Sequence, residues 1–157
     1  MGASSKERRG RKRPRVKQEP TSSKQSRIEA TNNPDNYKNL NPSWHLSSLD
    51  LDGPWCPRAN LTAVHIWSTL YPRLCCFETM QWREIEGASG SHPVQVSDLE
   101  KRARDRLVDI QQDDIDELFS LRIGGKERVW GIRDFNVLKI LWWDPHHEVC
   151  KSKLKHT

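Results

Sequence analysis

Apolar and polar residues alternate most clearly in the last third of the chain. Three runs there are rich in β-branched and aromatic residues, at 118–123, 127–133 and 137–143. The two breaks between them, 124–126 and 134–136, have the length of hairpin turns. The pattern therefore predicts three consecutive antiparallel strands, a meander, in one small sheet.

Upstream of the meander the spacing of apolar residues predicts helices. After Asn60, a residue type that favours helix N-termini, apolar residues recur at helical spacing up to Leu74, and Pro72 is expected to kink or end this helix. A second short helix is predicted over 79–85. The Gly- and Pro-containing segment 87–95 is predicted to be a linker.

The segment that follows carries two signals of a helix. Residues 97–100, Ser-Asp-Leu-Glu, have the form of a capping box. The apolar residues after it then repeat at helical spacing and form a single stripe that is expected to face the core. That stripe consists of Leu99, Ala103, Leu107 and Ile110.

Together with a first strand predicted over 44–51, these elements predict an α+β fold. Helices are expected on one face of a four-stranded, mostly antiparallel sheet, in the order strand, helix, helix, three-stranded meander. Neighbouring residues of a strand point to opposite faces. One indole of Trp142 and Trp143 should therefore lie away from the helices, unless the sheet is covered on both sides.

Positive charge is concentrated near the N-terminus. Of the 157 residues, the first 38 contain 11 Lys and Arg against 4 Asp and Glu, whereas the other 119 contain 15 against 17. Residues 1–38 have almost no large apolar side chain and are predicted to be a disordered basic arm, followed by one folded domain over 39–157. The basic overall charge thus belongs mostly to the arm and does not by itself make the domain a nucleic-acid binder.

The positive charge of the arm suits binding to the phosphates of nucleic acids, including DNA, without recognition of the base sequence. A nuclear address in a eukaryotic cell and a solubilising extension are alternatives that the sequence leaves open. The candidate binding residues of the arm are Arg11, Lys12, Arg13 and Arg15.

Cysteine usage and hydropathy favour a soluble, cytoplasmic protein. The four cysteines include no Cys-x-x-Cys pair, and no apolar leader is present, so a reducing compartment is expected. No apolar run approaches the roughly 20 residues that a membrane-spanning helix needs. No interaction with a membrane is expected.

The predicted meander gathers cationic side chains and ends in two histidines, His146 and His147. Imidazole titrates near neutral pH, and guanidinium binds phosphate in bidentate fashion, so the set suits a polyanion. Alternation places Arg128 and Arg133 on opposite faces of the sheet unless a bulge intervenes. The candidate phosphate-binding residues of the sheet are Arg122, Arg128, Arg133 and Lys139.

Two other interpretations compete with this one. Imidazole and thiolate are preferred donors to zinc, so His146, His147 and Cys150 are an alternative ligand set, with Asp144 or Cys56 as a fourth ligand. Their spacing is not a standard one. A turn whose histidines bond backbone carbonyls explains the same residues, and we predict no metal and no cofactor.

A resemblance to a known family is carried by the order of elements and by four motifs. These are Leu121-Arg122-Ile123, Glu127-Arg128-Val129-Trp130, the final strand 137–143 and His146-His147. Over about residues 41–150 the chain resembles the RelE/ParE superfamily of toxin-antitoxin toxins. It departs from the family pattern after the last strand, where Asp144-Pro145 intervenes and the usual His-Tyr or Arg-Tyr is missing.

The resemblance implies a function and a site. In the RelE-type branch an arginine of the third strand and a basic or imidazole group after the last strand surround the scissile phosphate of mRNA in the ribosomal A site. The matching candidate catalytic residues are Arg128, His146 and His147. The resemblance thus implies a metal-independent mRNA endoribonuclease with RNA or the ribosome and an antitoxin protein as partners. Other members of the superfamily poison DNA gyrase or have lost activity.

A function from a different class is the alternative. In that hypothesis the chain is a non-enzymatic module that binds nucleic acid or an acidic protein through its basic arm, while the sheet packs against a partner.

Overall fold

Residues 36–151, the part of the chain that the computed structural model describes, form an α+β structure around a five-stranded mixed sheet. Two 3-10 turns, Asn36–Asn39 and Val96–Asp98, and a π-helical turn, Ile66–Leu70, complete the described elements. The regular elements in chain order are β1 (Ser43–His45), α1 (Pro57–Asn60), α2 (Ala63–His65), α3 (Tyr71–Glu78), α4 (Trp82–Ala88), β2 (His92–Gln95), α5 (Lys101–Asp109), β3 (Glu117–Gly124), β4 (Glu127–Asp134) and β5 (Val137–Asp144).

The strands lie in the order β1-β5-β4-β3-β2. Strands β3, β4 and β5 form the antiparallel meander that alternation predicts, with ends within about one residue of the predicted ones. Strand β1 pairs with β5 in parallel, so the sheet is mixed. Only Trp44 and His45 of the predicted first strand 44–51 lie in β1, because the chain turns away after His45.

The fifth strand, β2, lies in the segment predicted to be a linker. It pairs antiparallel with β3, with His92 opposite Ser120 and Gln95 opposite Glu117. Pro93 hid this strand from sequence analysis, since proline lacks a backbone donor. An edge strand tolerates that loss, and β2 is the edge of the sheet.

The sheet is covered on both faces, so the prediction of helices on one face only is wrong. On one face, Phe77 of α3 and Trp82 and Ile85 of α4 pack against the sheet. On the other, the predicted apolar stripe of α5 does so, with Ala103 and Leu107 fully buried. Central strands that are apolar on both sides require this second layer, because each face must be removed from water.

A β-bulge near the end of β5 decides which way its last side chains point. The pairing moves from Trp130 opposite Trp142 to Gly131 opposite Ile140, which leaves Leu141 as the extra residue. Leu141 and Trp142 consequently both face α5, whereas Trp143 faces α3 and α4. Because both faces of the sheet are covered, both indoles of the pair are buried. Neither is available to stack on a base.

Helices in the first half differ from the prediction in their ends. Pro72 lies in the first turn of α3, which continues to Glu78, so the proline does not end the helix. The π-helical turn lies directly before it, where the ring removes a backbone donor. Helix α4 begins with a capping box, because the Glu84 carboxylate accepts a hydrogen bond from the backbone N–H of Gln81 at 2.7 Å.

The capping box predicted at 97–100 is wrong. Helix α5 begins at Lys101, and no side chain caps it. A capping box would direct the backbone N–H of Glu100 to the Ser97 hydroxyl, but that N–H donates to the Val149 carbonyl at 2.9 Å. The returning C-terminal segment thus replaces the local cap.

A buried ion pair joins α5 to the loop after β1. The Asp50 carboxylate accepts hydrogen bonds from Arg106 Nε at 2.7 Å, from Arg106 Nη2 at 2.6 Å and from Trp142 Nε1 at 3.0 Å. Its side chain is 2% exposed. The hydrogen bond from Arg106 is the main reason that the pKa of Asp50 falls from 3.8 to about 2.

None of the helices within residues 36–151 is long and apolar enough to cross a membrane. The four cysteines form no disulfide.

The lowered pKa of Asp50 predicts a defined loss of stability in acid. The ionised carboxylate stabilises the fold by about 2 kcal/mol above pH 4, and this contribution is lost as the pH falls from about 4 to about 2. The difference in free energy of unfolding between wild type and Asp50→Asn should shrink over that interval. Urea denaturation at several pH values measures it. Asp52→Asn, whose side chain is 83% exposed, is the matched control and should show no such change.

The bulge predicts a strong glycine requirement at position 131. A Cβ there would lie 2.5 Å from the Lys139 carbonyl oxygen, so Gly131→Ala should lower the free energy of unfolding by about 1–3 kcal/mol. Gly87 in α4 has nothing within 4 Å of its Cβ position, and Gly87→Ala should be neutral or stabilise by up to about 1 kcal/mol. Chemical denaturation compares the two. Equal effects would contradict the close approach at the bulge.

Candidate functional site

A buried carboxylate organises the segment that carries the paired histidines. Asp144, at the end of β5, is fully buried and lies opposite Arg128 in the sheet. Its oxygens accept hydrogen bonds from Glu148 N at 2.9 Å, from Val149 N at 3.0 Å and from the Trp130 indole at 3.3 Å. These bonds fold the chain after β5 back over the sheet. The bulge in β5 is what places this carboxylate on the same face as Trp130.

His147 occupies the tightest position of this turn. Its φ of 61° lies in the left-handed region, which histidine tolerates better than most residues with a side chain. Such a conformation persists only where the surroundings impose it. Here the hydrogen bonds do so, because they join Asp144, before the turn, to the backbone amides of Glu148 and Val149, after it. The imidazole is therefore held half-buried, whereas that of His146 is exposed.

Arg128 lies on β4, facing α5. Its Nη1 donates to the carbonyl oxygens of Gly125 and Glu127, both at 2.9 Å. Among the described residues these are its only hydrogen bonds, so donors on Nε and Nη2 remain for a ligand. No carboxylate of residues 36–151 lies within ion-pair distance of it.

A second arginine increases the local positive charge. Arg122 of β3 is directly opposite Arg128 in the register, and its side chain is exposed. Like charges directly opposite each other destabilise a sheet. An anion bound beside the two guanidinium groups would remove that repulsion.

Arg128 and His147 line the same open depression, which we call the β2–β4 groove. Its volume is about 530 Å³, within the range of small-ligand sites, and a smaller depression of about 340 Å³ adjoins it through Arg128, His147 and Lys151. The groove is lined by His92, Pro93, Val94, Gln95, Asp98, Ser120, Arg128, Trp130, His147, Cys150 and Lys151, and the adjoining depression adds Gly125, Lys126 and His146.

The pKa values of the central pair are both lowered. Burial is the main cause for His147, followed by the positive charge of Arg128, while Asp144 acts in the opposite direction. Burial also lowers the pKa of Arg128, with Arg122 as the next cause. His147 is therefore predominantly neutral at pH 7, and Arg128 stays charged, because the ordinary pKa of a guanidinium lies far above that pH.

The structure brings together some of the predicted site residues and separates others. Arg128, His146 and His147 meet at the groove and the depression beside it, with Arg122 next to them. Arg133 lies on the other face, as alternation predicts, with its guanidinium 3.5 Å from the centre of the Tyr37 ring. Lys139 is paired with Asp134 at 2.7 Å and does not line the groove. Arg11, Lys12, Arg13 and Arg15 lie outside the described residues.

The zinc alternative lacks a ligand set. Within residues 36–151, no three His, Cys, Asp or Glu side chains are placed to share a metal ion. The Asp144 carboxylate is occupied by backbone and indole donors, and Cys150 Sγ lies 3.5 Å from the Asp98 carbonyl oxygen.

Sequence analysis missed three groove residues, His92, Lys126 and Lys151. His92 belongs to the strand that Pro93 concealed. The alternation of His92 and Val94 was its only signal, and four residues are too few to make such a signal reliable. Lys126 lies in a predicted hairpin turn, but nothing in its sequence indicates that the turn approaches the histidines.

Comparisons with known proteins assign no family. No family model matches the chain, and no curated protein and no solved structure matches it. The resemblance to the RelE/ParE superfamily therefore stays a prediction from the residues.

The cations around His147 predict which of two substitutions changes the pKa of that imidazole more. Arg128→Gln and Lys126→Gln should each raise the pKa of His147, because each removes a nearby positive charge, and the first should raise it more. NMR titration of the imidazole resonances measures both shifts. Arg83→Gln, an exposed residue of α4 on the other face of the sheet, is the charge-matched control and should leave the pKa of His147 unchanged. A larger effect of the control than of Arg128→Gln would contradict the geometry.

Proposed function

We propose that this chain binds RNA in the β2–β4 groove and cleaves it as a metal-independent, RelE-like endoribonuclease. The observation that supports the proposal most directly is that Arg128 and His147 line one open groove. A guanidinium and an imidazole that face the same cavity are the groups that cleavage of a phosphodiester requires.

Arg128 is the phosphate-binding residue of the proposed reaction. Its remaining N–H donors match two phosphate oxygens in a bidentate arrangement. The pentacoordinate transition state carries more negative charge than the substrate, so a fixed guanidinium stabilises it more strongly than it stabilises the bound RNA. The bonds to the carbonyls of Gly125 and Glu127 hold the guanidinium in place before the substrate arrives.

His147 is the general base of the proposed reaction. It is neutral at pH 7 because burial and Arg128 lower its pKa, and a neutral imidazole accepts the proton of a ribose 2′-hydroxyl. The 2′-oxygen then attacks phosphorus, the bond from phosphorus to the 5′-oxygen breaks, and the products are a 2′,3′-cyclic phosphate and a protonated 5′-hydroxyl. DNA has no such hydroxyl, so the proposal is specific for RNA.

Substrate and setting follow from the same proposal. The groove is open along one side of an edge strand, which suits a single-stranded segment of mRNA, free or on the ribosome. A toxin of this kind acts in the cytoplasm and is held inactive by an antitoxin protein. The basic arm, with Arg11, Lys12, Arg13 and Arg15, would add salt-dependent affinity for RNA.

A cleavage assay tests the proposal. The purified chain should cleave mRNA, with or without ribosomes, to products with a 2′,3′-cyclic phosphate, and should not cleave the 2′-deoxy analogue. Arg128→Gln and His147→Asn should each lower the rate by about 10²–10⁴-fold. Asparagine is chosen because it also tolerates the left-handed conformation at position 147.

Two variants control for effects on folding and on overall charge. His45→Asn, at the opposite edge of the sheet, and Arg83→Gln should cleave like the wild type. Cleavage that needs a divalent ion, or that survives both groove variants, would refute the enzymatic proposal. RNA binding without cleavage by the wild type would favour the interaction module.

A further inference from the structure

A third imidazole lines the groove, from the strand that sequence analysis missed. His92 is the first residue of β2 and shares the α5 side of the sheet with Val94, two residues along, which is buried there. It lies opposite Ser120 of β3, which in turn lies opposite Trp130 of β4. His92, Ser120 and Trp130 thus cross the groove in one row, and Arg128 is the next residue of β4 on that face.

The ring of His92 is held in one tautomer. Its Nδ1 lies 3.0 Å from the Pro93 carbonyl oxygen. A carbonyl only accepts, so Nδ1 carries a hydrogen and Nε2 is the atom left for a ligand.

The two histidines of the groove flank Arg128 from different strands. Strand β2 lies two strands from β4, a separation of about 10 Å at the usual spacing, whereas His147 follows β5 on the other side of β4. In-line attack at phosphorus places the entering and leaving oxygens on opposite sides of the phosphate. Two imidazoles that reach the groove of Arg128 from different segments supply one acid–base group for each of these oxygens.

We propose that His92 is the general acid that protonates the leaving oxygen in the same groove; this rests on the proposed ribonuclease function. His147 takes the proton of the 2′-hydroxyl while the 2′-oxygen forms its bond to phosphorus. The bond from phosphorus to the 5′-oxygen breaks, and that oxygen receives a proton from His92. The products are a 2′,3′-cyclic phosphate and a 5′-hydroxyl, and water returns the proton from His147 to His92.

The charges around His147 favour this division of roles. His147 faces Arg128, Lys126 and His92, whose positive charges oppose its protonation, with only Asp144 acting in the other direction. These charges keep the His147 ring neutral and so able to accept a proton, and His92 is the other imidazole that lines the groove with Arg128.

A substrate with an altered leaving group tests the assignment. With ordinary RNA, His92→Gln should lower the rate by about 10²–10⁴-fold, like His147→Asn. With RNA whose bridging 5′-oxygen is replaced by sulfur, the leaving thiolate needs no proton. His92→Gln should then cleave within about tenfold of the wild type, whereas His147→Asn should stay impaired.

The outcomes separate this inference from the proposed function. Rescue of His92→Gln alone supports the acid, and recovered cleavage also shows that the variant is folded. Equal loss on both substrates, or no loss on ordinary RNA, overturns the role of His92 while the ribonuclease stands. No cleavage of either substrate by the wild type overturns both. His45→Asn is the control and should behave as wild type on both substrates.

Discussion

The hydrogen bonds of the buried Asp144 carboxylate are the interaction on which the candidate site depends. The carboxylate accepts hydrogen bonds from the Trp130 indole of β4 and from two backbone amides beyond β5, and so connects the sheet to the turn that carries His147. Three donors satisfy a carboxylate that has no contact with solvent. These hydrogen bonds stabilise the turn that holds the left-handed residue at position 147 beside Arg128.

The groove carries a positive charge that the domain as a whole lacks. The domain carries slightly more acidic than basic residues, yet Arg122 and Arg128 lie opposite each other on adjacent strands, and no carboxylate of residues 36–151 lies within ion-pair distance of either. Two arginines with a structural role, by contrast, have partners within the protein. Arg106 is paired bidentately with Asp50, and Arg133 lies over Tyr37. Arg122 and Arg128, which have no such partner among the described residues, lie side by side where an anion would bind.

Packing on both faces also defines the shape of the groove. Helix α5 and the C-terminal segment cover much of one face, and Val149 is buried against it. The cover stops short of the edge, where β2 and the start of β4 stay accessible. The groove is thus the uncovered margin of a buried face. This explains why its floor, Trp130, is apolar and 1% exposed while its rim carries histidine, arginine and lysine.

How much the sequence predicts differs between the two halves of the domain. The meander and the apolar stripe of α5 follow from periodicity alone, because long strands and an amphipathic helix repeat their pattern several times. The placement of Arg128 and Arg133 on opposite faces follows in the same way, from the alternation along one uninterrupted strand. Strand β2 has four residues and a proline, which is too little pattern to predict it, and His92 was missed with it.

Predictions from short local motifs were wrong where contacts with other segments decided the structure. The Ser-Asp-Leu-Glu motif at 97–100 has the form of a cap, but the Val149 carbonyl takes the backbone donor that the cap would use. The bulge at Leu141 reverses the alternation along β5, and so turns Asp144 toward Arg128.

The sequence by itself thus determined the α+β class, the meander and the candidate pair of an arginine with the histidines after the last strand, because these depend on local periodicity and residue chemistry. Only the tertiary structure decided that the sheet has five strands and two covered faces, that Asp144 holds the turn and that His92 faces the same groove. Those features depend on contacts between residues far apart in the chain, which no local pattern contains.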